Sequence, residues 1–218
     1  MLEIEELSEI STFKRRRNVF VNTKRFGYTP VEKGDTIGEI HFMCPLLKGL
    51  NMRYGCPSPK GYVSISEILL SKEPVVLAFY SAETFNGHVI RDLESMAKDT
   101  EVMGGKLVLI TSVFRKEILQ TLGENHSLTV YYDIDNQLNE GFGLYQENNP
   151  LSDWISGINN EKASLPAIYV IDNQKEVIYR HVDYSLGLFS KKLGEQEKIF
   201  REMLTIVYHA NQHSVKAN

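Results

Sequence analysis

The stretch Phe79-Tyr80-Ser81-Ala82-Glu83-Thr84-Phe85-Asn86-Gly87-His88-Val89 joins an apolar run, PVVLAFY, to a helix-like run, VIRDLESMAKD. A strand that ends in a short loop and restarts as a helix presents unpaired N–H groups and the positive end of a helix dipole at that loop. Among these residues His88 could hold an anion or carry a proton, since imidazole titrates near pH ~6.5. Glu83 is its candidate carboxylate partner. A packed histidine with one backbone hydrogen bond and a solvated glutamate fit the same residues, so both readings stand. The loop holds no sulfur. The two thiols of the chain, Cys44 and Cys56, lie upstream in CPLLKGLNMRYGCPSP. They could act as redox groups, close a disulfide over the loop from Met43 to Pro57, or remain reduced in a reducing compartment. Their spacing matches no tight zinc signature, and the histidines at 41, 88, 126, 181, 209 and 213 are scattered, so no metal site is expected.

The elements that would position this loop follow from patterning. Residues 39–43 (EIHFM) read as a short strand and 51–60 as loop, because two prolines and Gly-Cys-Pro interrupt it. Gly61-Tyr-Val-Ser-Ile-Ser alternates like a strand. Ser66 can cap a short helix, SEILLSK, that Pro74 ends. The runs 75–80 (VVLAFY) and 106–112 (KLVLITS) are continuously apolar, as strands buried on both faces are. Between them Val89, Leu93 and Met96 fall on one helix face. A further helix is expected at 114–126, a strand at 127–133 and a short helix with a turn at 136–145. Residues 146–164 are polar and turn-rich, an insertion with Trp154 as local anchor. AIYVID and EVIYRHVD flank Asn173-Gln174-Lys175 as a hairpin, and 193–211 form a long helix with Ile199, Met203, Ile206 and Val207 inward. Tyr131, Tyr132 and Tyr179 read as packed strand side chains. Strands linked through helices run parallel and the hairpin antiparallel, which predicts an α/β fold: a mixed central sheet with helices on both faces.

The whole chain narrows the function classes. Its 218 residues suit one domain with an extension, here residues 1–33 ahead of a domain over 34–218. A hydrophobic share of 42% and a charged share of 24% are those of a globular protein with a sizeable core. A net charge of -4 excludes the concentrated basic surface that nucleic acid needs, and the short run Lys14–Asn18 reads as a solvated helix end or arm. No apolar run is long enough to span a membrane, and the N-terminus lacks a secretory pattern, so a cytoplasmic location is expected.

The element order, with these residues, resembles the thioredoxin fold, and more closely the peroxiredoxin-like group of the alkyl hydroperoxide reductase/thiol-specific antioxidant (redoxin) families. Four stretches carry the likeness: GDTIGEIHF (34–42), similar to the family's opening G-D-x-x-P-x-F but without its proline; KGYVSISEILLSKEPVVLAFY (60–80); SLTVYYDIDNQLNEGFGLY (127–145); and LPAIYVIDNQKEVIYRHVDY (165–184). The likeness covers roughly residues 34–208. It implies reactive thiols in the loop after the first core strand, a cis proline at Pro166 facing that loop, and pairing into homodimers. Counted without gaps from Phe79-Tyr80, Phe85 and His88 take the two cysteine positions, Ser81 the proline position and Thr84 the tryptophan position. The peroxidase threonine also falls on Phe85, and Thr84 reaches its place after a one-residue shift. No cysteine occurs from Pro57 onward.

A thiol at a helix N-terminus has its pKa lowered and its thiolate fraction raised, which is what attacks a disulfide or peroxide. Phenylalanine and histidine cannot replace it. The sequence therefore predicts a redoxin-like protein without the redox pair and without a cofactor, serving in binding or regulation toward an unknown protein or small molecule. Two enzymatic alternatives stand beside it: an atypical thiol peroxidase or disulfide oxidoreductase using Cys44 or Cys56, and a non-redox enzyme built on His88.

Overall fold

The computed structural model describes residues 27–43, 61–80, 87–112, 128–153, 155, 158, 160–184 and 193–216, with backbone alone at 87–90, 193–196 and 214–216. Lys14–Asn18, Cys44, Cys56, Ser81, Glu83, Thr84, Phe85, Trp154 and the helix expected at 114–126 lie outside the described residues.

In chain order the elements are β1 (His41–Met43), β2 (Tyr62–Ser64), α1 (Ile65–Ile68), β3 (Val75–Phe79), α2 (Gly87–Val102), β4 (Lys106–Thr111), β5 (Thr129–Tyr132), α3 (Gln137–Gly141), β6 (Ala167–Ile171), β7 (Val177–Val182) and α4 (Leu193–Lys216). Five strands form one sheet in the order β5-β4-β3-β6-β7, and β1 and β2 form a separate antiparallel ribbon. The β3–β4 and β4–β5 pairs are parallel, while β6 runs antiparallel to β3 and β7. The sheet is thus mixed, as the patterning predicts.

Alternation along each strand divides the core in two. On one face Val76, Ala78, Leu109, Ile168 and Val170 meet Leu93, Met96 and Ala97 of α2 and Ile199, Met203 and Val207 of α4. On the other, Leu77, Phe79, Ile110 and Tyr169 meet Phe42 of β1, Ile65 and Ile68 of α1, Leu138 of α3, and Tyr28. Every residue of β3 and β6 is buried, which is why both runs are unbroken apolar sequence. At about 1.5–3 kcal/mol per fully buried large apolar side chain, these two layers hold the helices to the sheet. Gly104, at φ +78°, ends α2: the N–H of Gly105 bonds back to the carbonyl of Thr100 at 3.0 Å, and the chain turns into β4.

Three local expectations are corrected. Ser64, not Ser66, caps α1; its hydroxyl accepts the N–H of Ser66 at 3.0 Å. Strand β2 ends two residues earlier than its alternation suggests, because Ile65 is drawn inward and its N–H bonds the carbonyl of Ile40 at 2.8 Å. The long C-terminal helix also runs further than the apolar stripe, to Lys216.

Candidate functional site

The parallel strands β3, β4 and β5 all point their C-terminal ends to one edge of the sheet, where ligands of open α/β sheets commonly bind. Chain 81–86 leaves from there after Tyr80, whose N–H bonds the carbonyl of Ile110 at 3.0 Å. The 16-residue helix α2 starts at Gly87, with His88 second in its first turn and described at the backbone only. Its first turn carries no acidic residue.

Pro166 arrives at the same edge from the other side. Ala167 pairs with Phe79, which sets Pro166 beside Tyr80 at the root of the loop. Pro166 is buried, and its carbonyl accepts the N–H of Asp183 at 2.8 Å. No peptide bond among the described residues is cis, so the Leu165–Pro166 bond is trans, contrary to the expectation from resemblance. The trans isomer, which X–Pro bonds favour by about 0.5–1 kcal/mol, here meets all its neighbours. The N–H of Leu165 reaches the carbonyl of Leu144 at 2.9 Å, and Ala167 enters the ladder directly.

Beyond β4 and β5 the edge is polar and buried. Ser112 donates to the carbonyl of Lys162 at 3.1 Å. Asp133 is fully buried and accepts three hydrogen bonds from α3: the N–H of Leu138 at 3.2 Å, the N–H of Asn139 at 2.8 Å, and the amide of Asn139 at 2.7 Å. Burial pushes its carboxyl above the usual range, and the bonds from Asn139 and Leu138 work against that rise. Asn136 stands at the helix N-cap with φ 56°, and its side chain is turned away to donate to the carbonyl of Lys162 at 3.0 Å. Asp133 therefore does the capping from three residues upstream.

Beneath this edge Phe79, Phe142 and Tyr169 form an aromatic cluster, with ring centroids 4.8, 5.1 and 5.9 Å apart. The Tyr169 phenol is pushed well up by burial, opposed by Arg180. Arg180 pairs with Glu32 and donates to the hydroxyl of Tyr184 at 2.8 Å.

Of the residues singled out in the sequence, the structure brings the backbone of His88 and Pro166 to one edge of the sheet. Cys44, Cys56 and Phe85 fall outside the described residues. Asp133 was not singled out, although an aspartate just ahead of a short helix is a capping signal. The Arg180–Glu32 pair has no sequence signal, since its partners are 148 positions apart. No group of three His, Cys, Asp or Glu suited to a metal occurs among the described residues. Nor is any described helix long and apolar enough to cross a membrane.

The fold is similar to that of solved peroxiredoxins. Peroxiredoxin 6 of Arenicola marina superposes with a TM-score of 0.54 at 11% identity, over 81% of this chain and 72% of that one. Thioredoxin peroxidase I of Plasmodium yoelii gives 0.52 at 16% identity, over 85% and 93%. Peroxidoxin BcpB of Mycobacterium tuberculosis gives 0.51 at 16% identity, over 81% and 96%. The class is thus defined by fold: a thioredoxin-like α/β protein of the peroxiredoxin form. No family model matches the sequence, and a search of curated proteins finds no match.

Proposed function

We propose that this chain is a peroxiredoxin-like scaffold that lacks the redox cysteine pair and serves as a binding or regulatory protein. One observation carries the reading: the strand–loop–helix edge beside Pro166 is retained, yet the sequence holds no cysteine from Pro57 to its end. Without a thiolate, nothing in that loop can attack a peroxide or exchange with a disulfide. The full-length protein is expected to consume no hydrogen peroxide and to leave insulin disulfides intact, at rates equal to those of a Cys44→Ser/Cys56→Ser double variant. Peroxide consumption that disappears in Cys44→Ser or in Cys56→Ser overturns this reading.

That outcome would support a second one, a thiol peroxidase working from an unusual position. It is favoured by the path of β1. The chain leading into β1 runs beside the β6–β7 turn, where Ile37 bonds the carbonyl of Lys175 at 2.8 Å, and the strand ends at Met43, whose N–H bonds the side-chain oxygen of Gln137 at 3.2 Å. Gln137 opens α3, just past the C-terminal end of β5. Met43, the last described residue before Cys44, is thus held beside α3.

A further inference from the structure

A second polar centre lies at the opposite end of the sheet, where β3 begins and the β6–β7 turn closes; Val75 pairs with Ile171 there. It holds a solvent-open cavity of about 390 Å³ between the end of α1 and that turn, with Ser66, Ser71, Lys72, Asn173 and Lys175 as its polar lining. Leu69 and Leu70 form an apolar wall, and Leu70 is 77% exposed. Both charged residues of the lining are lysines.

Two carboxylates stand nearby, and both are hydrogen-bonded: Glu39 against the lining residues Ser66 and Lys175, and Asp172 within the turn. Glu39 accepts from the hydroxyls of Ser64 and Ser66, and these bonds hold its carboxyl below the usual range. It stands 4.0 Å from the Lys175 ammonium. Asp172 accepts the N–H groups of Gln174 and Glu176, both at 2.9 Å, within the turn. Lys72 has no carboxylate of a described residue within ion-pair distance. One cation of the cavity is thus shared with Glu39 and the other is uncompensated.

Lys175 is also held in an unusual backbone conformation. Its φ is +65°, a region that glycine or asparagine enters readily and lysine does not. Its N–H bonds the carbonyl of Asp172 at 3.1 Å, and its carbonyl accepts the N–H of Ile37 at 2.8 Å. This locked turn directs the ammonium across the cavity, where it donates to the Ser66 hydroxyl at 2.6 Å. A three-residue hairpin loop takes this left-handed conformation at its last residue.

We propose that this cavity binds a small organic phosphate. The ammonium groups of Lys72 and Lys175 and the Asn173 amide are the donors that suit a compact anion of several oxygens, while the hydroxyls of Ser66 and Ser71 already donate to Glu39 and to the carbonyl of Glu73; lysine serves such anions as a point charge. The Leu69–Leu70 wall receives the apolar part of the ligand.

The test is a titration of phenyl phosphate into the full-length protein at low salt, followed by backbone amide shifts. Saturable shifts at Ser66, Ser71, Asn173 and their neighbours are expected. Benzyl alcohol, which keeps the ring and lacks the charge, is expected to bind at least about fivefold more weakly, as are Lys72→Gln and Lys175→Gly toward phenyl phosphate. Because glycine accepts the positive φ, Lys175→Gly is expected to keep or raise the Tm while losing affinity. Absent or non-saturating shifts, shifts centred elsewhere, or unchanged affinity in both variants would overturn the proposal. So would a Lys175→Gly variant that melts lower and binds as before, since the lysine would then serve only to hold Glu39 and Ser66.

Discussion

Asp133→Ala is the perturbation that most directly tests how the candidate edge is held together. The carboxylate is the sole cap of α3 seen from its side chains, and it accepts three donors in a fully buried setting. Alanine leaves two backbone N–H groups and one amide hydrogen without partners. At about 1–2 kcal/mol per orphaned buried donor, partly offset by relief of the carboxylate's own desolvation, the loss is roughly 3 kcal/mol. For a chain of this length that corresponds to a fall in Tm of roughly 6–12 °C. Urea unfolding followed by circular dichroism measures it directly. The pH dependence supplies a second check. Burial raises the folded pKa of Asp133 above its unfolded value, so the native state binds the proton more readily. Its contribution to stability is fully present below the ordinary aspartate pKa and declines as pH rises through the raised folded value. Wild type should therefore gain stability relative to Asp133→Asn as the solution is acidified from neutrality. A loss under about 1 kcal/mol in Asp133→Ala, together with parallel pH curves for wild type and Asp133→Asn, would refute the reasoning.

Other perturbations follow from the same structure. Gly143 has φ +66°, and an added Cβ would lie 2.1 Å from the carbonyl oxygen of Thr29, which is backbone and cannot swing aside. Gly143→Ala is expected to cost at least about 2 kcal/mol from left-handed strain and collision combined, read as a lower urea midpoint; an unchanged midpoint would contradict that contact. Phe79→Ala removes the ring that touches both Phe142 and Tyr169 at the root of the loop. It should cost about 3–5 kcal/mol by the same assay, and a loss near that of an exposed substitution would show that the cluster is not packed as described.

The aromatic floor also shows how far reading by pattern extends. The apolar runs at 75–80 and 106–112 were legible because a buried strand needs apolar residues at nearly every position, and the hairpin because polar Asn173–Lys175 separates two strand-like runs. The absence of a loop cysteine was equally legible, since it depends on residue identity alone. The Ser66 cap was misread by two residues because either serine satisfies the local signal, and only the bond from Ile65 to Ile40, just ahead of β1, places the cap at Ser64. The isomer of the Leu165–Pro166 bond was likewise beyond local signals: it goes with partners at Leu144, Asp183 and Phe79.

Sequence by itself determined the alternating strand-and-helix order, the mixed sheet and the chemical poverty of the loop after β3, because periodicity and side-chain type are local properties. Tertiary structure alone decided which polar groups meet: Asp133 under α3, Arg180 against Glu32, and Lys175 against Ser66 and Glu39. Those encounters join residues up to 148 positions apart, and chain separation carries no information about contact until the sheet is assembled.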